Sequence, residues 1–244
     1  MSGFHGLFSL GGIVGAAGVS ALLGLGLAPL GAMLVVIVLL LVALLKAAPH
    51  MLPYGSESSG PAFAVPHGIV LFIGGMCFIV FLAEGAALDW SAVFLTQERG
   101  IDKAYAGLGY AAFALTMTVG RLTGDSIVRR LGATRVIVFG GVTAAAGLCL
   151  ATFAPSWEAA LVGYALLGAG CSNIVPVLYT AVGKQTVMPE SIAVPAITTL
   201  GYAGILAGPA VIGFVAHAAS LSFAFGLMAL LLLAVAIGGK VLKV

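Results

Sequence analysis

The sequence predicts an all-α, polytopic membrane protein, and three observations carry that prediction. Of its 244 residues, 61% are hydrophobic and 7% charged, whereas a soluble domain carries roughly 25% charged residues to cover its surface. The apolar residues run continuously instead of alternating at period two, which indicates helices and not barrel strands. Polar and turn-forming clusters cut the chain into eight apolar stretches, each close to the roughly 20 residues that a helix needs to cross a bilayer. Lipid is therefore the expected covering of most of the surface.

The first stretch, Gly3 to Leu23, carries His5 one turn from its start, with Ser2 and Ser9 at helical spacing beside it. Such a polar stripe faces protein, where His5 either lines a cavity or bonds to a neighbouring helix. The second, Pro29 to Leu45, ends at Lys46. Residues 47–66 then read AAPHMLPYGSESSGPAFAVP, a composition that breaks helices and suits a hydrated linker.

The third stretch, Gly68 to Leu95, contains Glu84 and Asp89. An ionisable group inside a membrane helix costs about 2.5 to 3.5 kcal/mol on insertion scales, so each is a functional candidate. A rise of about 1.5 Å per residue puts Glu84 roughly 24 Å and Asp89 about 31 Å from Gly68. Glu84 is thus the deeper, and is expected to carry a proton or to hold a structural hydrogen bond. In an unbroken helix the two point about 140° apart; a break at Gly85 would relieve that difference, and the length of the stretch fits a discontinuous helix or a tilted one equally. Asp89 is expected at the outer boundary, and Trp90 is either an interfacial anchor or a platform for stacking a sugar ring.

Ala104 to Leu122, Val136 to Phe153, Trp157 to Tyr179, Ile192 to Val215 and Leu221 to Leu242 complete the set. Within the sixth, Asn173 precedes Pro176. Its amide can serve a polyhydroxylated ligand or satisfy carbonyls that the proline releases.

Spans alternating from a cytoplasmic start put Lys46, Arg121, Arg129, Arg130, Arg135, Lys184, Lys240 and Lys243 inside and only Arg99 and Lys103 outside. That bias predicts both termini in the cytoplasm. No basic residue precedes Lys46, so a cleaved signal peptide is not expected. Cys77, Cys149 and Cys171 lie in apolar stretches without metal-ligand spacing and are expected to be buried small hydrophobes. No metal site or cofactor is expected, and the dispersed basic residues give no nucleic-acid face. Nucleophile elbows, zinc-protease motifs and phosphate-binding glycine loops are missing from the sequence, so an enzyme is not expected either.

The most specific stretch is GRLTGDSIVRRLGATR, Gly120 to Arg135, expected at a short cytoplasmic turn. Asp125 precedes Arg129 by four residues, a spacing that brings them together on one helix turn. Gly120 and Gly124 form a small-xxx-small pair that admits a neighbouring helix. The stretch is either a charge and packing latch or a plain positive-inside anchor.

This segment resembles the signature loop of the major facilitator superfamily, as it occurs between the eighth and ninth helices of a twelve-helix transporter. The resemblance assigns Gly120, Arg121, Gly124, Asp125, Arg129, Arg130 and Gly132 to a conformational-switch motif that gates alternating access without touching solute. EGAALDW, Glu84 to Trp90, is similar to the seventh helix of a bacterial branch related to fucose permeases. GILAGPAVIG, with Gly204, Gly208, Pro209 and Gly213, resembles a glycine-proline packing motif of the family. The implied correspondence is with helices five to twelve, as in an N-terminally truncated member. Residues 1–46 would be the last two helices of the N-terminal half, 47–66 the central cytoplasmic linker, and 67–244 a complete C-terminal six-helix bundle. A faint echo of SLGGIVGAAG in TLGYAGILAGPA, six spans apart, fits a parallel six-helix repeat.

The expected function is secondary active transport of a small, sugar-like solute across a bacterial inner membrane, coupled to protons. The rival expectation is a non-transporting remnant or assembly piece of such a carrier. The partners implied are the lipid bilayer, a small-molecule solute and protons.

Overall fold

The computed structural model describes residues 2–51 and 65–242, with the side chains of residues 2–5, 16 and 20 also outside the description. Most of the expected linker therefore lies outside the described residues. The chain divides into two compact units, Leu7–Ser59 and Met1–Gly6 with Gly60–Val244.

The smaller unit holds most of α1 (Ser2–Gly24) and all of α2 (Pro29–Ala47). Gly26 ends α1 with φ +87°, a backbone conformation that glycine adopts without strain, and its N–H bonds to the Leu23 carbonyl at 3.0 Å. Pro29 starts α2, at a position where no intrahelical N–H is needed.

The larger unit contains α3 (Gly68–Glu98), α4 (Leu108–Leu131), α5 (Ala133–Phe153), α6 (Trp157–Cys171), α7 (Ile174–Val182), α8 (Glu190–Ala218) and α9 (Leu221–Val241). There is no strand among the described residues. Seven segments of the described chain are long and apolar enough to cross a membrane, against the eight expected. The exception is α4, which has the length but not the composition, because its last three turns carry Arg121, Asp125, Arg129 and Arg130.

Two further expectations are corrected and one open alternative is resolved. The charged motif forms no turn: α4 runs unbroken to Leu131, and Gly132, at φ +81°, is the single residue joining it to α5. Nor does Gly85 interrupt α3, which is continuous for 31 residues. The sixth stretch is broken instead, at Ser172 and Asn173 between α6 and α7. Pro176 causes that break locally, since it has no N–H to offer the Ser172 carbonyl four residues back.

Glycines let the helices approach until their backbones touch. On α5 and α6, a Cβ at Gly147 would stand 2.6 Å from the Gly163 carbonyl oxygen, and one at Gly163 would stand 2.5 Å from that of Gly147. The same reciprocal contact recurs seven residues along, between Gly140 and Gly170. The glycine-proline segment of α8 does comparable work against α3. Gly204 abuts the Phe78 carbonyl, Gly208 lies against Leu82, and Pro209 stands inside the helix between those contacts and Gly213. These approaches make α3 with α8 and α5 with α6 the most extensively packed helix pairs.

Gly163→Ala is expected to overpack the α5–α6 contact and to cost about 1–3 kcal/mol. Gly75→Ala, where an added methyl meets open space, is expected to be neutral or slightly stabilising. Thermal denaturation of the two variants in detergent checks this, and equal midpoints would mean that the glycine contact does not hold the helices together.

Candidate functional site

Four polar residues of the larger unit, Glu84, Arg121, Ser172 and Asn173, link α3 to α4 and α4 to the α6–α7 break. Glu84 projects from the middle of α3, and Arg121 from α4, ten residues before its end at Leu131. That offset is about 15 Å of helix, so Arg121 is drawn inside the bundle and not held at a surface turn. One guanidinium nitrogen, Nη2, donates to both carboxylate oxygens, at 3.1 Å to Oε1 and 3.3 Å to Oε2. The side chains are 6% exposed for Arg121 and 12% for Glu84, making this a buried ion pair.

Asn173 bonds α4 one residue before Arg121. Its Nδ2 donates to the Gly120 carbonyl at 2.9 Å and to Ser172 Oγ at 3.0 Å. The amide therefore reaches across to α4, and does not serve the carbonyl freed by Pro176. Both amide hydrogens are used, which fixes the orientation of the group. Asn173 Oδ1 is buried and accepts no hydrogen bond among the described residues.

Close packing of α4 on α6 brings these groups together. Thr116 Oγ1 donates to the Ala165 carbonyl at 2.7 Å, Gly168 abuts the Phe113 carbonyl, and a Cβ at Gly120 would lie 2.7 Å from that of Ser172. Any side chain at Gly120 would push Ser172 and Asn173 away. Gly120 thus has two roles, as a gap for Ser172 and as the carbonyl that Asn173 holds.

Among the other predicted residues, Gly124 is buried on α4. The recorded side-chain bond of Arg129 goes to Ser126 Oγ at 2.9 Å, one turn back, instead of to Asp125. Arg129 and Arg130 occupy the last turn of α4, where cations complement the helix dipole. Asp89 is exposed, and the Trp90 ring edge lies 3.2 Å from where a Cβ at Gly213 would stand, so α8 occupies that side of the indole. His5 belongs to α1, but its side chain lies outside the described residues. Cys77 and Cys171 are buried, as expected of small hydrophobes, while Cys149 is exposed.

Comparison with known proteins bears directly on this bundle. The family model described as Major Facilitator Superfamily matches residues 69–243, from the start of α3 to the end of α9. The chain belongs to the Major Facilitator Superfamily. It is 56% identical over 241 residues to an uncharacterized MFS-type transporter of Yersinia pestis, covering 98% of this chain and 63% of that protein. It is 30% identical over 249 residues to an uncharacterized transporter, y4wD, of Sinorhizobium fredii, covering 100% of this chain and 65% of the relative. MosC, a membrane protein of Rhizobium meliloti, is 33% identical over 152 residues, 62% of this chain and 37% of MosC. The chain thus spans less than two thirds of the length of these relatives. Among solved structures, the E. coli fucose:proton symporter FucP superposes with a TM-score of 0.67. At 19% identity, over 87% of this chain and 54% of FucP, that likeness establishes the fold. The family is one of transporters, in agreement with the expectation that the chain is not an enzyme.

In the sequence, Glu84 and Arg121 stand as separate features and nothing points to Ser172. The missing signal was the helix end: carrying α4 past Leu122 to Gly132 would have put Arg121 at depth, opposite a carboxylate in need of a partner.

Removing one member of a buried ion pair costs about 3–5 kcal/mol, because the other charge is left uncompensated. Arg121→Gln is accordingly expected to destabilise the protein strongly. Combined with Glu84→Gln it should cost less than the two single changes added together. A double-mutant cycle read by thermal denaturation measures the coupling, and strict additivity would mean that the pair contributes nothing to the fold.

Proposed function

We propose that the chain works as part of a proton-coupled secondary transporter of a small solute, resident in a bacterial inner membrane with both termini cytoplasmic. Residues 1–46 act as the last two helices of the N-terminal half, 47–66 as the central cytoplasmic linker, and 67–244 as the C-terminal six-helix bundle. The observation that carries this reading is the buried Glu84–Arg121 pair, 3.1 Å apart between two helices of that bundle. Membership of the superfamily and the FucP fold, described as that of a fucose:proton symporter, support it.

The physical logic is that of an exchangeable bond. Charged, Glu84 ties α3 to α4 through Arg121; protonated, it keeps a hydrogen bond but loses the attraction. Taking up a proton therefore loosens one helix–helix connection at the centre of the bundle. Arg121 also follows Gly120, whose carbonyl is held by Asn173 at the α6–α7 break. Loosening at Glu84 is thereby passed to a second helix joint, a small shift that discrete packing arrangements amplify into alternating access. The motif residues Gly120, Arg121, Gly124, Asp125, Arg129, Arg130 and Gly132 form the moving part, with Arg121 as its link to the coupling carboxylate. Asp89, Trp90 and His5 stand as further candidates for solute or proton handling, and Gly204, Gly208, Pro209 and Gly213 hold α8 against α3.

Cells expressing the chain, suspended without buffer and challenged with a panel of solutes, should take up protons with the transported one, so that the medium turns alkaline. Glu84→Gln is expected to abolish the proton movement. A solute-driven pH change of unaltered size in Glu84→Gln would sink the coupling role of this carboxylate.

A further inference from the structure

Two cations stand at the end of the bundle where α5 begins and α9 ends. Arg135 lies in the first turn of α5 and Lys240 in the last turn of α9, and both are exposed. Thr134 Oγ1 donates to the Leu242 carbonyl at 3.4 Å, which ties the two helix ends together beside them. Neither cation makes a hydrogen bond or an ion pair with a described residue. The dipole of α9 favours Lys240 in its last turn, whereas that of α5 opposes Arg135 in its first. Positive charge is thus gathered at this seam with no described side chain paired to it.

Helix geometry puts both cations on one flank of the α5–α9 seam. On α5, Ile137 abuts Gly239 and Gly141 abuts the Ala236 backbone, while Gly140 and Gly147 turn toward α6. Successive side chains rotate by about 100°, so Arg135 points away from α6, beyond the face that meets α9. On α9, Ala236 and Gly239 meet α5, while Gly238 packs on Phe72 and Met76 of α3. Lys240 accordingly points away from α3, beyond the face that meets α5. The contacts run in opposite order along the two helices, and for such an antiparallel pair those two directions lie on the same flank. Below the cations this flank is apolar: Phe139 and Val142 follow Arg135 at helical spacing, and Ile237 and Leu233 precede Lys240, all four exposed. A free phosphate would answer the charges and leave the apolar walls bare. A neutral lipid would cover the walls and leave the charges unanswered, whereas one acidic phospholipid does both.

We propose that the α5–α9 seam holds one acidic phospholipid, its phosphate between Arg135 and Lys240 and an acyl chain along Phe139, Val142, Leu233 and Ile237. Charge complementarity selects the headgroup, since a zwitterionic lipid brings a cation of its own to a place that already has two. The bound lipid offsets the repulsion between the helix ends and braces the first turn of α5 against the last turn of α9. The inference is independent of the carrier reading, because it needs only that α5 and α9 cross a bilayer.

The test is native mass spectrometry of the purified full chain in detergent, offered equal amounts of phosphatidylglycerol and phosphatidylcholine. A cation near the headgroup contributes roughly fivefold in affinity for an acidic lipid, so phosphatidylglycerol should be preferred by up to about 25-fold for the two. Arg135→Gln combined with Lys240→Gln is expected to abolish that preference, and Arg135→Lys combined with Lys240→Arg to keep it. Lys46→Gln combined with Lys103→Gln removes the same charge from exposed positions elsewhere and should leave the preference intact. Excess inorganic phosphate should not release the lipid. Phosphatidylglycerol should also raise the thermal midpoint of the wild type but not that of the double glutamine variant. Should that variant fail to fold, the two single glutamine changes decide the matter, each expected to weaken the preference about fivefold. Equal retention of the two lipids, an equal loss in the Lys46 and Lys103 variant, release by phosphate, or a dimer of the chain that excludes lipid would each overturn the proposal.

Discussion

A positive and a negative charge placed between apolar helices hold each other because the surroundings offer neither one an alternative. Water would solvate Glu84 and Arg121 separately; a helix bundle in lipid does not. This constraint explains why α3 and α4 are organised as they are at mid-bundle. It also explains why a helix as polar as α4 is tolerated there, since one of its charges is compensated inside and Arg129 and Arg130 sit in its last turn.

Around the pair, the bundle depends on glycine. Backbone-to-backbone contact at Gly147 with Gly163 and at Gly140 with Gly170 fixes α5 against α6. The approach of α6 to α4 at Gly168 and Gly120 then brings Asn173 within hydrogen-bond distance of the motif. Small residues thus set helix spacing, helix spacing sets which polar groups meet, and the polar groups define the site.

The resemblance to the superfamily was carried by a motif regarded as separate from solute. The structure gives that motif two parts. Its outer end, with Arg129 bonded to Ser126, belongs to the helix terminus. Its inner end reaches the polar centre, where Gly120 accepts from Asn173 and Arg121 pairs with Glu84.

Membrane residence, helical class and the family were legible in the chain itself. Continuous apolar runs permit no other covering than lipid and no other backbone solution than a helix, and the glycine–aspartate–arginine pattern has a spacing that composition alone rarely produces. Glu84 was also legible, because a lone carboxylate deep in an apolar run stands out. Which cation answers it was not. Arg121 lies 37 residues away on another helix, and its depth depends on where α4 ends, a boundary that hydropathy placed too early because the motif is polar. Pro176 marked where the sixth stretch would break, but the reach of Asn173 to Gly120 was not legible. Sequence periodicity reports the face and length of one helix, whereas partners across helices follow from how closely glycines let them pack, and that is decided only in three dimensions.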